Sequence, residues 1–313
     1  MPPRVAPVSD WQLTVDGTVE EPLELSVSEL QCYPVHHLSV VLECAGHRRS
    51  EYRPPTPGLP WGFGAVSEAV WAGCSLANVL DAVGTQGRYV LLQGADHGSF
   101  RDTAKVAFAR ALPSEKACHP DTLLAWEMNG RPVPHAHGGP VRAIVPGWYA
   151  TDSVKWLKRI TVLDYAFDGP FETVDYRKRV NASDAGSRLT TLSAHSLITS
   201  VADGEQVPAG EQILRGIAWG ETADLIKVEV SIDNDNWQQA ELAPMTNLYG
   251  RRHWAFAWHA KPGIHTVAVR ATDAGGNSQP RIPAWNEGGY ANNSIQRILL
   301  TCRRTDGLNG TCR

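Results

Sequence analysis

The sequence predicts an α+β domain over residues 1–180 followed by an all-β sandwich over residues 187–313, on three observations. The chain has 313 residues, enough for about two domains. Its first half mixes short apolar runs with one clear helical pattern. Its second half alternates apolar and polar residues strictly, in short segments divided by glycines. A composition of 42% hydrophobic and 20% charged residues belongs to a packed chain and excludes disorder.

In the first half, Leu76–Val83 has helical spacing and stops at Gly84, a residue suited to a C-cap. Tyr89–Gln93 reads as a buried strand, and Lys105–Leu112 as one or two helical turns. Asp121–Met128 reads as an extended segment that turns at Asn129-Gly130. The join falls in the polar stretch Tyr176–Arg188. Beyond it, Ile226–Ile232, Trp254–Trp258 and Thr266–Ala271 alternate as strands, with a turn at 233–236. Trp219, Trp237, Trp254, Trp258 and Trp285 read as the core of the sandwich rather than a platform for stacking bases. No fixed-period repeat points to a solenoid or propeller.

A formal net charge of -4, from 29 basic and 33 acidic residues, gives no reason to expect a nucleic-acid or anionic-membrane partner. No run approaches the ~20 apolar residues of a membrane span. Residues 1–11 carry three prolines and no apolar signal core, so the expectation is a cytoplasmic protein. The periplasm is the alternative if a leader is missing from this sequence. Six cysteines include no CxxC or CxxCH, which argues against zinc ribbons, thioredoxin-like motifs and attached haem. Cys302 and Cys312 are spaced to pair across a turn; in a reducing cytoplasm both remain thiols.

Two segments carry chemistry. In Val40–Ser50 an apolar strand delivers Cys44 into a turn of small residues, followed at once by Arg48 and Arg49. Two guanidiniums favour a thiolate, which serves as nucleophile or metal ligand, and they can hold an oxyanion. The competing reading is a buried structural cysteine at a strand end. In Glu127–Gly147 two histidines, four glycines and Arg142 share an irregular loop, with Lys155 and Lys158 close behind. Such a loop can cradle a phosphate through backbone N–H groups and cations. It is neither a Walker loop nor a GxGxxG fingerprint, and His135-Ala-His137 lacks further zinc ligands at typical spacing.

These residues resemble the sulfite oxidase family of molybdenum enzymes. The motifs are CAGHRRS (44–50), WAGCSL (71–76), EMNG (127–130), HGGPVR (137–142), VPG (145–147) and VKWL (154–157), in order. In the second half, VEVSID (228–233), ATD (271–273) and Trp285-Asn286 resemble the family's dimerisation domain. The resemblance implies a molybdopterin-binding α+β domain and an immunoglobulin-like sandwich that pairs two chains as a homodimer. It implies a molybdenum–molybdopterin cofactor with Cys44 as the metal's protein ligand. Asp96, His137, Arg142, Ser153, Val154 and Lys155 would hold the pterin and its phosphate. The activity implied is oxygen-atom transfer on a small molecule, with electrons passing to a separate acceptor such as a cytochrome. Nitrate or sulfoxide reduction, or a cofactor-free dimeric scaffold, are the alternatives.

Substrate residues depart from the family pattern. Arg49 and Trp61 match pocket positions, and His47 replaces an asparagine. Counted without gaps, Asp168 falls where sulfite-oxidising relatives have an active-site tyrosine, with Tyr165 nearby. Gly288 stands where they have an anion-binding arginine. A carboxylate about 4 Å from a substrate charge would oppose it by about 4 kcal/mol. The expectation is therefore a pocket in which Asp168 is catalytic beside Cys44 and Arg49, and which disfavours a dianion.

Overall fold

A computed structural model describes residues 2–3, 8–100, 105–181, 183–233 and 236–304. The chain divides into two compact units: residues 1–192 with 284–292, and residues 193–283 with 293–313.

The first unit contains β1 (Leu13–Gly17), β2 (Leu23–Leu25), α1 (Val27–Leu30), β3 (Val35–Glu43), β4 (Val66–Ser75), α2 (Leu76–Val83), β5 (Tyr89–Ser99) and β6 (Lys105–Pro113). After these come α3 (Ser114–Ala117), β7 (Leu123–Met128), β8 (Arg131–Pro132), β9 (Arg142–Ile144), β10 (Leu157–Leu163), α4 (Pro170–Thr173), β11 (Arg177–Lys178) and β12 (Ser187–Arg188). One sheet runs β2-β1-β10-β5-β6, with β1 and β10 parallel at Val15↔Ile160. A second runs β3-β4-β7-β8, and β9 also pairs with β7. The shared core holds Leu13, Leu76, Leu80, Leu92, Leu124 and Ile160. Helix α2 forms where the spacing predicts it: Ser75 caps it by accepting from Ala77 N, and Gly84 closes it at φ 61°. Asn129 and Gly130, at φ 53° and 71°, make the tight turn between β7 and β8.

Lys105–Leu112 is not helical: it lies within β6, paired with β5 at Val90↔Leu112 and Leu92↔Arg110. Its alanines favour helix on their own, but the ladder buries residues 109–112 in one continuous run.

The second unit is a β-sandwich of β13 (His195–Ile198), β14 (Gln206–Pro208), β15 (Gly210–Trp219), β16 (Leu225–Ile232), β17 (Trp237–Gln239), β18 (Glu241–Leu242), β19 (Arg252–Ala260), β20 (Gly263–Asp273) and β21 (Gln296–Arg303). The sheets run β13-β15-β19-β18 and β14-β21-β20-β16-β17. Leu214, Trp254 and Phe256 from one sheet meet Val228, Val230, Val267 and Leu300 from the other. Each comes from the apolar set of an alternating strand. Part of the tryptophan expectation fails. Trp219 and Trp254 are buried, but Trp237 lies under the Arg270 guanidinium at 4.2 Å. Trp285 belongs to the first unit, where its indole donates to Pro54 O. Cys302 is a buried free thiol; Cys312 and residues 234–235 lie outside the described residues. Among the described residues no helix is long and apolar enough to cross a membrane.

Candidate active site

Strand β3 ends at Glu43 and hands Cys44 to a tight turn. Cys44 N donates to Ala65 O, and His47 N returns to Cys44 O, both at 2.9 Å. The Gly46 N–H points at Cys44 Sγ, 3.4 Å away. The sulfur is half-buried and lines a cavity of about 710 Å³. Arg49, Trp61, Tyr176, Arg179 and Tyr290 line the same cavity.

The two arginines after Cys44 part company. Arg48, at φ 57°, is fully buried, donates to Glu51 Oε2 at 2.7 Å and covers the Phe63 ring. It is structural. Arg49 faces the cavity, with Nε on Gly288 O and Nη1 on Leu59 O, both at 3.1 Å. Its guanidinium lies 5.1 Å over the Tyr290 ring. A Cβ at Gly46 would stand 2.6 Å from Arg49 Cζ, so only glycine gives this approach.

The far wall comes from 284–292, which is pinned back onto the Cys44 turn. Ala291 N donates to Ala45 O at 2.8 Å, and Asn292 Nδ2 to Arg48 O at 3.0 Å. Tyr52 Oη donates to Tyr290 O at 2.6 Å, and Asn286 grips both the N–H and the carbonyl of Tyr290.

Asp168 is exposed and does not line this cavity; among the described residues its carbonyl accepts from Thr173 Oγ1. Tyr165 is 62% exposed and is absent from the lining too. The segment enters instead at 174–179, with Tyr176 at φ 54°. The cause is Glu172 in α4, drawn into a buried cluster with Arg110, Asp152 and Arg188. Arg110 stands 5.6 Å over the Tyr176 ring. Burial pushes the Tyr176 phenol up to about 12, so it keeps its proton at any working pH. Three guanidiniums (Arg49, Arg177, Arg179) and two carboxylates (Asp175, Glu287) line the cavity. The expected repulsion of a dianion by Asp168 therefore falls away, although Gly288 does lie in the wall.

The second set of candidates gathers around β9 and residues 153–155. Arg142 is buried, with Nε on Ser153 O and Nη1 on His137 O, each at 3.1 Å, and its face on Trp71. Desolvation brings its pKa down to about 10. Ser153 Oγ accepts from Val145 N, and Val154 O from Ala143 N. Lys155 Nζ reaches Ala136 O at 2.8 Å. Among the described residues Asp96 Oδ1 is buried without a hydrogen-bond partner, and its burial raises the carboxyl pKa. Gly94 and Gly138 let the three segments close up. A Cβ on Gly94 would lie 2.3 Å from Asp96 Oδ1, and one on Gly138 2.7 Å from Lys155 Cβ. The His137 side chain is exposed; its carbonyl is what the structure uses.

An orphaned acceptor, a nearby lysine and a tight backbone cradle fit the N–H groups and phosphate of a pterin cofactor. A half-buried thiol beside a large cavity fits a soft metal held mainly by that cofactor. Among the described residues, no three or more His, Cys, Asp or Glu side chains form a metal site of their own. Sequence reading missed Tyr176, Arg179 and Tyr290 as cavity residues. The last lies 246 positions from Cys44, and nothing local marks any of them.

The family model for an oxidoreductase molybdopterin binding domain matches residues 1–171, and that for a Mo-co oxidoreductase dimerisation domain matches 187–302. The chain is 34% identical to "Sulfite oxidase" of Gallus gallus, over 94% of this chain and 69% of that one. It is 35% identical to "Sulfite oxidase, mitochondrial" of Rattus norvegicus over 88% of this chain, and it spans about half, 54%, of that protein. The crystal structure of the sulfane dehydrogenase SoxCD from Paracoccus pantotrophus superposes with a TM-score of 0.82 at 25% identity, covering 96% of this chain and 79% of that one.

Proposed function

Because the chain belongs to the sulfite oxidase family of molybdenum-dependent oxidoreductases, we propose that it oxidises a small sulfur oxyanion, with sulfite as the first substrate to try. The supporting observation is the cavity itself, which sets Cys44 beside Arg49 and Tyr176 in a lining with one more cation than carboxylates. The net reaction adds one oxygen atom from water to sulfite. It releases sulfate, two protons and two electrons, which leave for a separate acceptor, in this reading a cytochrome.

Bound molybdopterin would supply the two-electron, oxygen-transferring centre, with Cys44 as its protein thiolate and Asp96, Arg142 and Lys155 at its pterin and phosphate. The chain's own residues do the rest. Arg49, fixed on two carbonyls, has Nη2 left for an anion. Tyr176 holds its phenolic proton and so donates a hydrogen bond rather than repelling an anion. Trp61, 44% exposed, stands in the cavity wall where solvent reaches it.

The test is sulfite-dependent reduction of ferricyanide by molybdenum-loaded protein, with Cys44→Ser beside the wild type. Expected are about one molybdenum per wild-type chain, sulfite turnover, and loss of turnover in the variant with the pterin retained. Undiminished turnover in Cys44→Ser would remove the thiolate from the reaction. Full molybdenum loading without sulfite turnover would overturn the substrate assignment.

A further inference from the structure

We propose that Arg179 is a second anion-binding residue of the cavity, acting with Arg49 on the substrate oxyanion. This rests on the reading of the cavity as an oxyanion site. Three guanidiniums line it, but they are not equally free. Arg177 spends its donors on backbone: Nε on Ala185 O at 2.7 Å, Nη1 on Glu172 O at 3.0 Å and Nη2 on Gly186 O at 2.6 Å. It braces the hairpin of β11 and β12. Arg49 has two donors tied and Nη2 left over.

Arg179 differs from both. Nη2 reaches Thr173 O, while Nε is buried with no hydrogen-bond partner among the described residues. Nε is sealed from water and so from a ligand as well, whereas Nη1 has no hydrogen bond among the described residues and is the donor that an oxyanion in the cavity can meet. The position is built. Glu287 N donates to Arg179 O at 2.8 Å, so Arg179 is fastened to the same wall as Gly288. Gly186 leaves room for the side chain, since a Cβ there would come within 2.5 Å of Arg179 Cγ. Arg179 therefore supplies a guanidinium to a wall where Gly288 offers only its carbonyl, and that carbonyl is already taken by Arg49. Two planar cations converging on one cavity select a substrate with several acceptor oxygens over a neutral sulfide or sulfoxide.

The experiment uses the molybdenum-loaded full chain with Arg179→Met, Arg179→Lys and, as an exposed control outside the cavity, Arg131→Met. Sulfite kinetics and calorimetric titration with sulfate are read together. A charge-assisted hydrogen bond corresponds to about a ten- to hundredfold change in affinity. Arg179→Met should raise the sulfite KM and weaken sulfate binding by that factor, with a smaller change in kcat. Arg179→Lys keeps the charge without the fork and should fall between, and Arg131→Met should match wild type. Wild-type KM and sulfate affinity in both Arg179 variants would overturn the proposal while the oxyanion reading stands. A wild type that neither oxidises sulfite nor binds sulfate would overturn both.

Discussion

Replacing Asp152 by alanine should lower the melting temperature of the first unit by on the order of 10 °C. Asp152 is fully buried and accepts from Arg110 Nε at 3.0 Å and Arg188 Nη2 at 2.7 Å. Glu172 completes the group, at 3.5 Å from Arg110 and 2.9 Å from Arg188. Two arginines and two carboxylates balance, so the intact cluster needs no counter-ion. Deleting one carboxylate leaves a net positive charge around Arg110, whose side chain is wholly shielded from solvent. Breaking a buried pair from one side costs about 3–5 kcal/mol. In a unit of this size each kcal/mol moves the midpoint by about 2–4 °C. Asp152→Asn keeps the volume and one acceptor and should lose roughly half as much. Because the cluster is buried, raising salt to 0.5 M should change the difference little. Calorimetry or near-ultraviolet dichroism reads the midpoint. A fall in Asp152→Ala of less than about 2 °C would refute the reasoning, since the charge would then have been neutralised from elsewhere.

Gly46→Ala should push the Arg49 guanidinium out of place, because the new Cβ would lie 2.6 Å from Cζ. A sulfite KM raised about tenfold or more, at nearly unchanged melting temperature, is expected; an unchanged KM would show that Arg49 works from another position. His265 in the second unit bonds Asp233 Oδ2 through Nδ1 at 2.8 Å and Lys261 O through Nε2 at 2.7 Å. Burial opposes its charge, but the Asp233 and Lys261 bonds and the Asp233 carboxylate outweigh it, lifting the pKa above the ordinary 6.5. Its stabilisation is therefore fully present below about pH 6.5 and lost as pH rises through the lifted value. The melting difference between wild type and His265→Gln should shrink from pH 5.5 to 8.5, and a constant difference would contradict this. Native thiol titration should find Cys32 and Cys118 accessible and Cys74 inert, because burial pushes the Cys74 thiol up to about 12. Cys44 should alkylate in cofactor-free protein and be protected after loading, as mass spectrometry of the peptide would show.

The residues that could be read in advance are those whose environment is local. Helix α2 needed only its own apolar spacing, Ser75 before it and Gly84 after it. The turn at Asn129-Gly130 needed two residues that tolerate positive φ. The alternation of β16, β19 and β20 decided which faces turn inward, because successive strand side chains point to opposite sides. The Cys44 turn was legible for the same reason: sulfur, glycine and arginines are neighbours in the chain. So was the gathering of 137–142 with 153–155, whose glycines and cations sit close together in sequence.

What the sequence by itself determined, then, is the pair of domains, the strands of the sandwich, a thiol in a turn of small residues and a glycine-rich cationic loop. Only the tertiary structure decided which groups the substrate meets. Three segments far apart in the chain, 44–61, 174–179 and 287–290, build the cavity. Their meeting depends on packing: a buried charge cluster draws Glu172 inward and leaves Asp168 in solvent, and hydrogen bonds return 284–292 to the first unit. Arg48 and Arg49 are adjacent and chemically identical, yet one is locked on Glu51 and the other faces the cavity. Local propensity reaches only a few residues along the chain, whereas burial and charge neutralisation act across space; a gapless count therefore chose Asp168 where the folded chain presents Tyr176.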